Sequence, residues 1–211
     1  MKADFLKLCS CILMAVFFGC SDNNSTEPDT TKSEGIIPLK VGNQWIFKRY
    51  HIDSTGTQIA EYRDTMQITG TKMFDNEMWY KTYISAGSGY ITAEVFQLNR
   101  ANGLWNRDYI GEPNLAVKFP AQAGDTFYSG EPDDLQDTMF HRKMHVLSTD
   151  TTITTPAGMF KCYAYGYYYN SSKILAQLIF YAPSVGYIKE ELYAGTGLDR
   201  YGVELINYTL K

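Results

Sequence analysis

The chain has 211 residues, of which 45% are hydrophobic and 15% aromatic, a composition that excludes intrinsic disorder and points to a folded globular body. Its formal charge is −4, and −5 once residues 1–19 with Lys2, Lys7 and Asp4 are set aside, which argues against a nucleic-acid partner. Of four cysteines, Cys9, Cys11 and Cys20 fall in the first twenty residues, so Cys162 stands alone in the rest of the chain and no intrachain disulfide forms there.

Lys2 and Lys7 make a basic lead, Leu8–Gly19 (LCSCILMAVFFG) is an apolar run of twelve, and Cys20 follows the small residue Gly19. Twelve apolar residues are too few to cross a bilayer as a helix, so residues 1–19 read as a signal peptide. Phe17-Phe18-Gly19-Cys20 resembles a bacterial lipoprotein box. The resemblance implies that Cys20 becomes the first residue and carries fatty acyl chains such as palmitate, anchoring the protein in a lipid bilayer. Ser21 stands where an Asp, in the best-known sorting rule, retains such a protein at the inner membrane, so an outer-membrane anchor is expected. The following SDNN resembles the short polar signals of some surface lipoproteins, and both a periplasmic-facing and a cell-surface position stay open. Residues 21–35 hold no large apolar side chain, so 20–35 is expected to be a lipidated flexible tether, its ends about 20 Å apart.

From residue 36 to 211 the pattern is one of strands. The segments 43–50, 58–70, 77–85, 90–99, 139–148, 160–169, 174–181, 186–192 and 203–210 are short, rich in β-branched and aromatic residues, and separated by turn residues. Residues 103–107 and 151–155 are weaker strand candidates, and no window beyond the signal has a helical apolar repeat. Tight turns imply antiparallel neighbours. The expected fold is a single all-β domain over 36–211: a curved antiparallel meander, either a half-barrel or an open barrel or sandwich. Pro38, Gly42 and Trp45 share the spacing Pro-x3-Gly-x2-aromatic with Pro120, Gly124 and Phe127, which suggests two related halves as an alternative to Pro and Gly simply punctuating strand starts.

Three stretches, PLKVGNQWIF (38–47), TPAGMFKCYAY (155–165) and YAPSVGYIKEEL (181–192), resemble an uncharacterised family of exported bacterial all-β proteins and lipoproteins. That family has Pro-Leu-x-x-Gly-Asn-x-Trp, Pro-Ala-Gly-x-Phe and Tyr-Ala-Pro-Gly-Val-Gly motifs, and Ser184 departs from the last of them. The resemblance implies curved sheets like the half-barrels of envelope lipoprotein carriers and receptors, and it brings no activity. If the position of Ser184 needs a positive φ, serine tolerates it poorly.

Catalytic patterns are absent from the sequence. His141 and His145 have helical metal-site spacing but sit in a strand, about 13 Å apart with Lys143 between them on the same face. The acidic stretch Glu131–Asp137 lacks the alternating ligands of a calcium loop. Glu190 and Glu191 are adjacent on a strand and point to opposite faces, so they make no acid and base pair. No catalytic residue, metal or cofactor is assigned. Cys162, between aromatic neighbours, reads as a small buried residue.

The sequence Lys161–Asn170 (KCYAYGYYYN) places Tyr163, Tyr165, Tyr167 and Tyr169 on one strand face. The opposite face is mostly small, which suits close packing and leaves the tyrosines on a half-open side. Four phenols are costly to bury without partners for their hydroxyls, so this face is the expected ligand site, with Trp79 and Trp105 as further candidates. The first functional reading is a non-enzymatic binding module for a lipid, glycan or protein ligand. A structural or interaction component of the outer membrane surface is the second, and a hydrolase with its residues dispersed in sequence the third.

Overall fold

The computed structural model describes residues 35–53, 55–87, 92–130, 141–168, 174–193 and 200–211. Cys20 with its signal and tether, the acidic stretch 131–137, Tyr169 and the His141 side chain lie outside the described residues. Every element among the described residues is a strand. They are β1 (Gln44–Ile52), β2 (Gln58–Phe74), β3 (Glu77–Ser85), β4 (Thr92–Arg100), β5 (Gly103–Arg107), β6 (Asn114–Lys118), β7 (Thr126–Gly130), β8 (His141–Thr155), β9 (Gly158–Tyr168), β10 (Leu175–Ala182), β11 (Gly186–Tyr193) and β12 (Arg200–Thr209). The nine expected segments each fall on a strand, and 103–107 is β5. Residues 151–155 are not a separate strand: they end β8, which breaks register between Ser148 and Thr151. β6 and β7 lie beyond the sequence reading, for reasons of length taken up below.

The strands form one antiparallel sheet in the order β6-β5-β4-β3-β2-β1-β12-β11-β10-β9-β8-β7. The first and last strands therefore pair at its centre, and its two edges, β6 and β7, are consecutive in the chain. The sheet curls until those edges meet. Ser129 Oγ on β7 donates to the Ala116 carbonyl on β6 at 3.0 Å, and the Tyr165 hydroxyl on β9 reaches the Lys118 carbonyl at the end of β6 at 2.8 Å. The result is a nearly closed barrel, as the curved-meander expectation has it.

Turn chemistry sets the registers. Asp75 and Asn76 take φ of 50° and 65°, the two-residue turn whose twist suits a hairpin, between β2 and β3. At Ala182–Val185 a turn closes with Val185 N–H on the Ala182 carbonyl at 3.1 Å; Pro183 precedes Ser184, whose φ is 63°. This is the residue that departs from the family motif, and the backbone there takes the left-handed conformation that glycine favours.

The two halves open with one device. Gly42 N–H bonds Ile68 O at 2.8 Å, Ile68 N–H bonds Asn43 O at 2.9 Å, and Asn43 N–H bonds Lys40 O at 3.0 Å. Gly124 N–H bonds Val146 O at 2.8 Å, Val146 N–H bonds Asp125 O at 2.9 Å, and Asp125 N–H bonds Gln122 O at 3.1 Å. Gly42 and Gly124 have φ of 94° and 93°. The repeated Pro-x3-Gly-x2-aromatic spacing thus starts two six-strand meanders, β1–β6 and β7–β12, with the same backbone geometry.

Apolar alternation defines the inside: Trp45 and Phe47 on β1, Met66 and Ile68 on β2, Val146 on β8, Tyr165 and Tyr167 on β9, and Leu205 on β12 are buried in one cluster. One end of the barrel is plugged by the buried Ile36 and Ile37. Buried Asn43 binds this end together, donating to the Pro38 carbonyl at 2.7 Å and accepting from the Lys211 N–H at 2.8 Å. Asn99 donates to the Ile37 carbonyl at 2.7 Å, and the Trp45 indole N–H donates to the Val185 carbonyl at 2.7 Å. Residues 35–43, the end of β12 and the short turns gather here, which leaves the other end for the longer connections.

Candidate binding site in the barrel interior

The tyrosine strand faces inward. Tyr163 and Tyr165 stack with ring centroids 6.3 Å apart, and Tyr165 meets Phe127 edge-on at 5.9 Å and Tyr181 at 6.0 Å. Tyr163 also contacts Phe119 at 5.2 Å, and the chain of rings continues through Tyr181 to Tyr187 at 5.5 Å and on to Phe47 at 5.3 Å. Such edge-on pairs place the positive rim of one ring on the negative face of the next. Tyr165 is 1% and Tyr167 7% exposed, so these rings lie deeper than the half-open face expected of them. The physical reason is the barrel's closure: a carbonyl at the end of β6 takes the Tyr165 hydroxyl and removes the cost of burying it.

The opposite face of β9 is buried as well. Cys162 and Ala164 are covered, and a side chain at Gly166 would meet the Leu147 Cδ1 at 2.8 Å. Desolvation pushes the Cys162 thiol up to about 12, well above the range of a reactive thiolate. Burial also raises the phenols of Tyr165, Tyr181 and Tyr187, and the neighbouring Glu190 carboxylate adds to the effect at the last two.

A polar seam crosses this aromatic interior. Arg142 Nη1 donates to Gln177 Oε1 at 2.8 Å, and its guanidinium lies 5.3 Å from the Tyr167 ring. Gln177 Nε2 donates to Glu190 Oε1 at 2.5 Å, and the Tyr187 hydroxyl donates to Glu190 Oε2. Glu191, its neighbour, binds instead Lys189 at 2.8 Å and the Tyr193 hydroxyl on the other face, as strand alternation requires. Farther round, Arg49 donates from Nε at 3.0 Å and Nη2 at 2.5 Å to Asp64 Oδ2, whose carboxylate also accepts the Gly87 N–H at 3.2 Å.

Two cavities border the seam. One of about 130 Å³ lies behind the β6/β7 junction, lined by Val117, Phe127, Arg142, Tyr165, Gln177 and Tyr181 among others. The other, about 260 Å³, is lined by Arg49, Glu190, Leu192, Tyr201, Gly202 and Val203. Glu190 therefore faces the larger cavity and, through Gln177, touches the wall of the smaller.

Trp79 and Trp105 belong elsewhere. On β3, Tyr80 and Ile84 pack against the interior cluster, so Trp79 projects from the other face, where Trp105, Phe74, Phe96 and Tyr109 join it. Cations cover these rings: Arg100 lies 4.5 Å from Trp105 and 5.4 Å from Trp79, Arg107 4.1 Å from Phe74, and Lys72 4.5 Å from Tyr109. Glu77 and Asp75 pair with Arg100 and Arg107 at 2.5 and 3.1 Å. The structure does not bring this cluster to the tyrosines. His145, the other half of the spaced histidine pair, lies edge-on to Tyr168 at 5.2 Å. Among the described residues no group of three His, Cys, Asp or Glu side chains is placed to hold a metal ion.

The polar members of the seam, Arg49, Asp64, Arg142, Gln177 and Tyr187, were outside the sequence reading. The one available signal was a charged or amide residue on the inward parity of an aromatic strand.

The fold and site together define an all-β barrel with an aromatic interior divided by charged side chains. No family model matches the chain, and no curated protein matches it. Among solved structures it is similar to a candidate lipoprotein from Parabacteroides distasonis, with 17% identity over 84% of this chain and 99% of that one and a TM-score of 0.49. A candidate exported protein with a YmcC-like fold from Bacteroides fragilis has 16% identity over 82% and 98% of the two chains, with a TM-score of 0.44. A LolA superfamily protein from Nitrosomonas europaea has 12% identity over 85% and 90%, with a TM-score of 0.27.

Proposed function

We propose that this chain is an envelope lipoprotein, anchored through acylated Cys20, whose barrel over residues 36–211 is a non-enzymatic binding module for a small amphipathic ligand. The observation that carries the reading is the juxtaposition of aromatic walls, the polar seam through Gln177 and Glu190, and cavities on both sides of it. Partly buried charges among aromatic walls are often replaceable by apolar residues of the same shape without loss of stability, so packing alone gives little reason for them. The cavities are below the roughly 300–1,000 Å³ of sites for drug-sized molecules, so the ligand is small or is one end of a longer chain. Tyr165 supplies wall to the smaller cavity, Tyr163 stacks on it, and Tyr167 lies under the Arg142 guanidinium at the seam. The Gly19-Cys20 junction after an apolar run of twelve supports the anchor, and Ser21, where an Asp would retain it at the inner membrane, supports an outer-membrane location.

Two experiments test this. The intact mass of the natively produced protein is expected to correspond to a chain starting at acylated Cys20; an unmodified N-terminus elsewhere removes the anchor. Tyr165→Ala and Tyr167→Ala are expected to lose binding of small envelope lipids and glycans that the unaltered protein retains through purification. Folded variants that bind every such compound unchanged exclude the interior. A structural component of the envelope is the second reading, favoured by the bonded, buried hydroxyl of Tyr165; it expects no retained ligand.

A further inference from the structure

Arg49 on β1 and Glu190 on β11 are both registered directly opposite Val203 on β12, one on each side. Two strand spacings place their Cα atoms about 10 Å apart on the same inward face. Their side chains line one cavity of about 260 Å³, yet among the described residues they form no ion pair with each other at 4.0 Å or less. Each is held back by its own partners: Asp64 takes Nε and Nη2 of Arg49, while Gln177 and Tyr187 hold the Glu190 carboxylate. Opposite charges are thus fixed on two sides of a space floored by Val203 and walled by Leu192 and Tyr201. Tyr201 is itself stacked on His51, with centroids 4.6 Å apart and planes within 7°.

We infer that this cavity is a subsite for a small zwitterionic group, its acidic oxygens on the Arg49 guanidinium and its ammonium on the Glu190 carboxylate. The inference deepens the binding-module reading and rests on it. Charge decides the class. A lone anion brings its charge beside Glu190 and Asp64, and a lone cation brings its charge beside Arg49; a zwitterion satisfies both with charge-assisted bonds. The apolar floor and the Tyr201 ring then suit a short hydrocarbon body. Preorganisation by Asp64, Gln177 and Tyr187 means that neither charged group need reorder on binding. A free α-amino acid and the phosphoethanolamine head of a lipid share this chemistry.

The test is calorimetric titration of the full mature protein with alanine, leucine, tyrosine and glycerophosphoethanolamine, each set against a partner lacking one charge: the N-acetyl amino acid, the amino acid amide, and glycerophosphate. We expect at least one zwitterion to bind, and loss of either charge to weaken it by about tenfold or more. Amino acids binding without glycerophosphoethanolamine, or the reverse, identify the source. Glu190→Gln, which keeps an acceptor oxygen for the Gln177 amide and turns its own NH2 to the Tyr187 phenol oxygen, and Arg49→Lys, which keeps a cation on Asp64, are each expected to reproduce the loss while the thermal midpoint holds. The inference is overturned if no zwitterion binds up to about 10 mM, or if the singly charged partners bind as well as their parents. A parallel titration with an uncharged aromatic probe, lost in Tyr165→Ala, reports the general binding reading independently, so its success with failure of every zwitterion removes this subsite alone.

Discussion

Tyr165 joins three strands with one side chain: it belongs to β9, its ring meets Phe127 of β7, and its hydroxyl bonds the end of β6. Tyr165→Phe is expected to lower stability by about 1 kcal/mol, the usual net worth of one such bond. Tyr165→Ala also empties the ring's volume and is expected to cost about 3–5 kcal/mol; urea denaturation of the two variants separates the hydroxyl from the packing. Ser184 tests the opposite direction. Its φ of 63° is unfavourable for any residue with a Cβ, so Ser184→Gly is expected to raise stability by about 0.5–1 kcal/mol by the same measurement, the gain reduced by glycine's freedom in the unfolded chain. That position was legible from sequence because Ser184 stands where the resembled motif has Gly, the residue that takes a positive φ freely. The depth of Tyr165 was not, since the carbonyl that satisfies it lies 47 positions away at Lys118.

At the scale of elements, the long hairpins were legible and the barrel's edges were not. β2, β8 and β9 have enough residues for alternation to show, whereas strands of five residues give a period of two little room: β5 (GLWNR) read only as a weak candidate, and β6 (NLAVK) and β7 (TFYSG) did not read as strands. β6 and β7 are the edges whose backbone ladders have partners on one side only, joined across the junction by the Ser129 hydroxyl. Hydrogen exchange followed by mass spectrometry is expected to show the outward amides of β6 and β7 exchanging at least tenfold faster than those of β1 and β12, which are laddered on both sides. Equal protection would mean that the junction carries a continuous ladder. The candidate site divides in the same way. Its aromatic half was readable from one strand, KCYAYGYYYN, while its polar half is assembled from β1, β2, β8, β10 and β11, one residue from each of the first four and two from β11, with no local pattern to mark it.

For the whole molecule, burial of acidic protons makes the fold sensitive to alkali. Tyr165, Tyr181 and Tyr187 have phenols raised above their ordinary value by desolvation, and the Cys162 thiol is raised to about 12. The folded chain holds these protons more tightly than the unfolded chain does. Their contribution is therefore complete below the ordinary values, about 8.5 for a thiol and 10 for a phenol, and declines as pH rises above them. A thermal midpoint flat from pH 7 to about 8.5 and falling steadily above about 9.5 is expected, with part of the tyrosinate absorbance at 295 nm appearing only on unfolding. A midpoint insensitive to pH up to 11 would falsify the buried placement of these groups. The position of β1 has a mechanical consequence. A pull on Gly35 directed along the axis of β1 passes through Ile36, Ile37 and the Gly42 turn into that strand. β1 is laddered to β2 on one side and to β12 on the other, and ladder bonds lie across such a force. They are loaded together in shear, whereas a strand tugged sideways surrenders its bonds one at a time. A barrel hung from this end resists being drawn out of shape, because two ladders must slide before any one strand can peel.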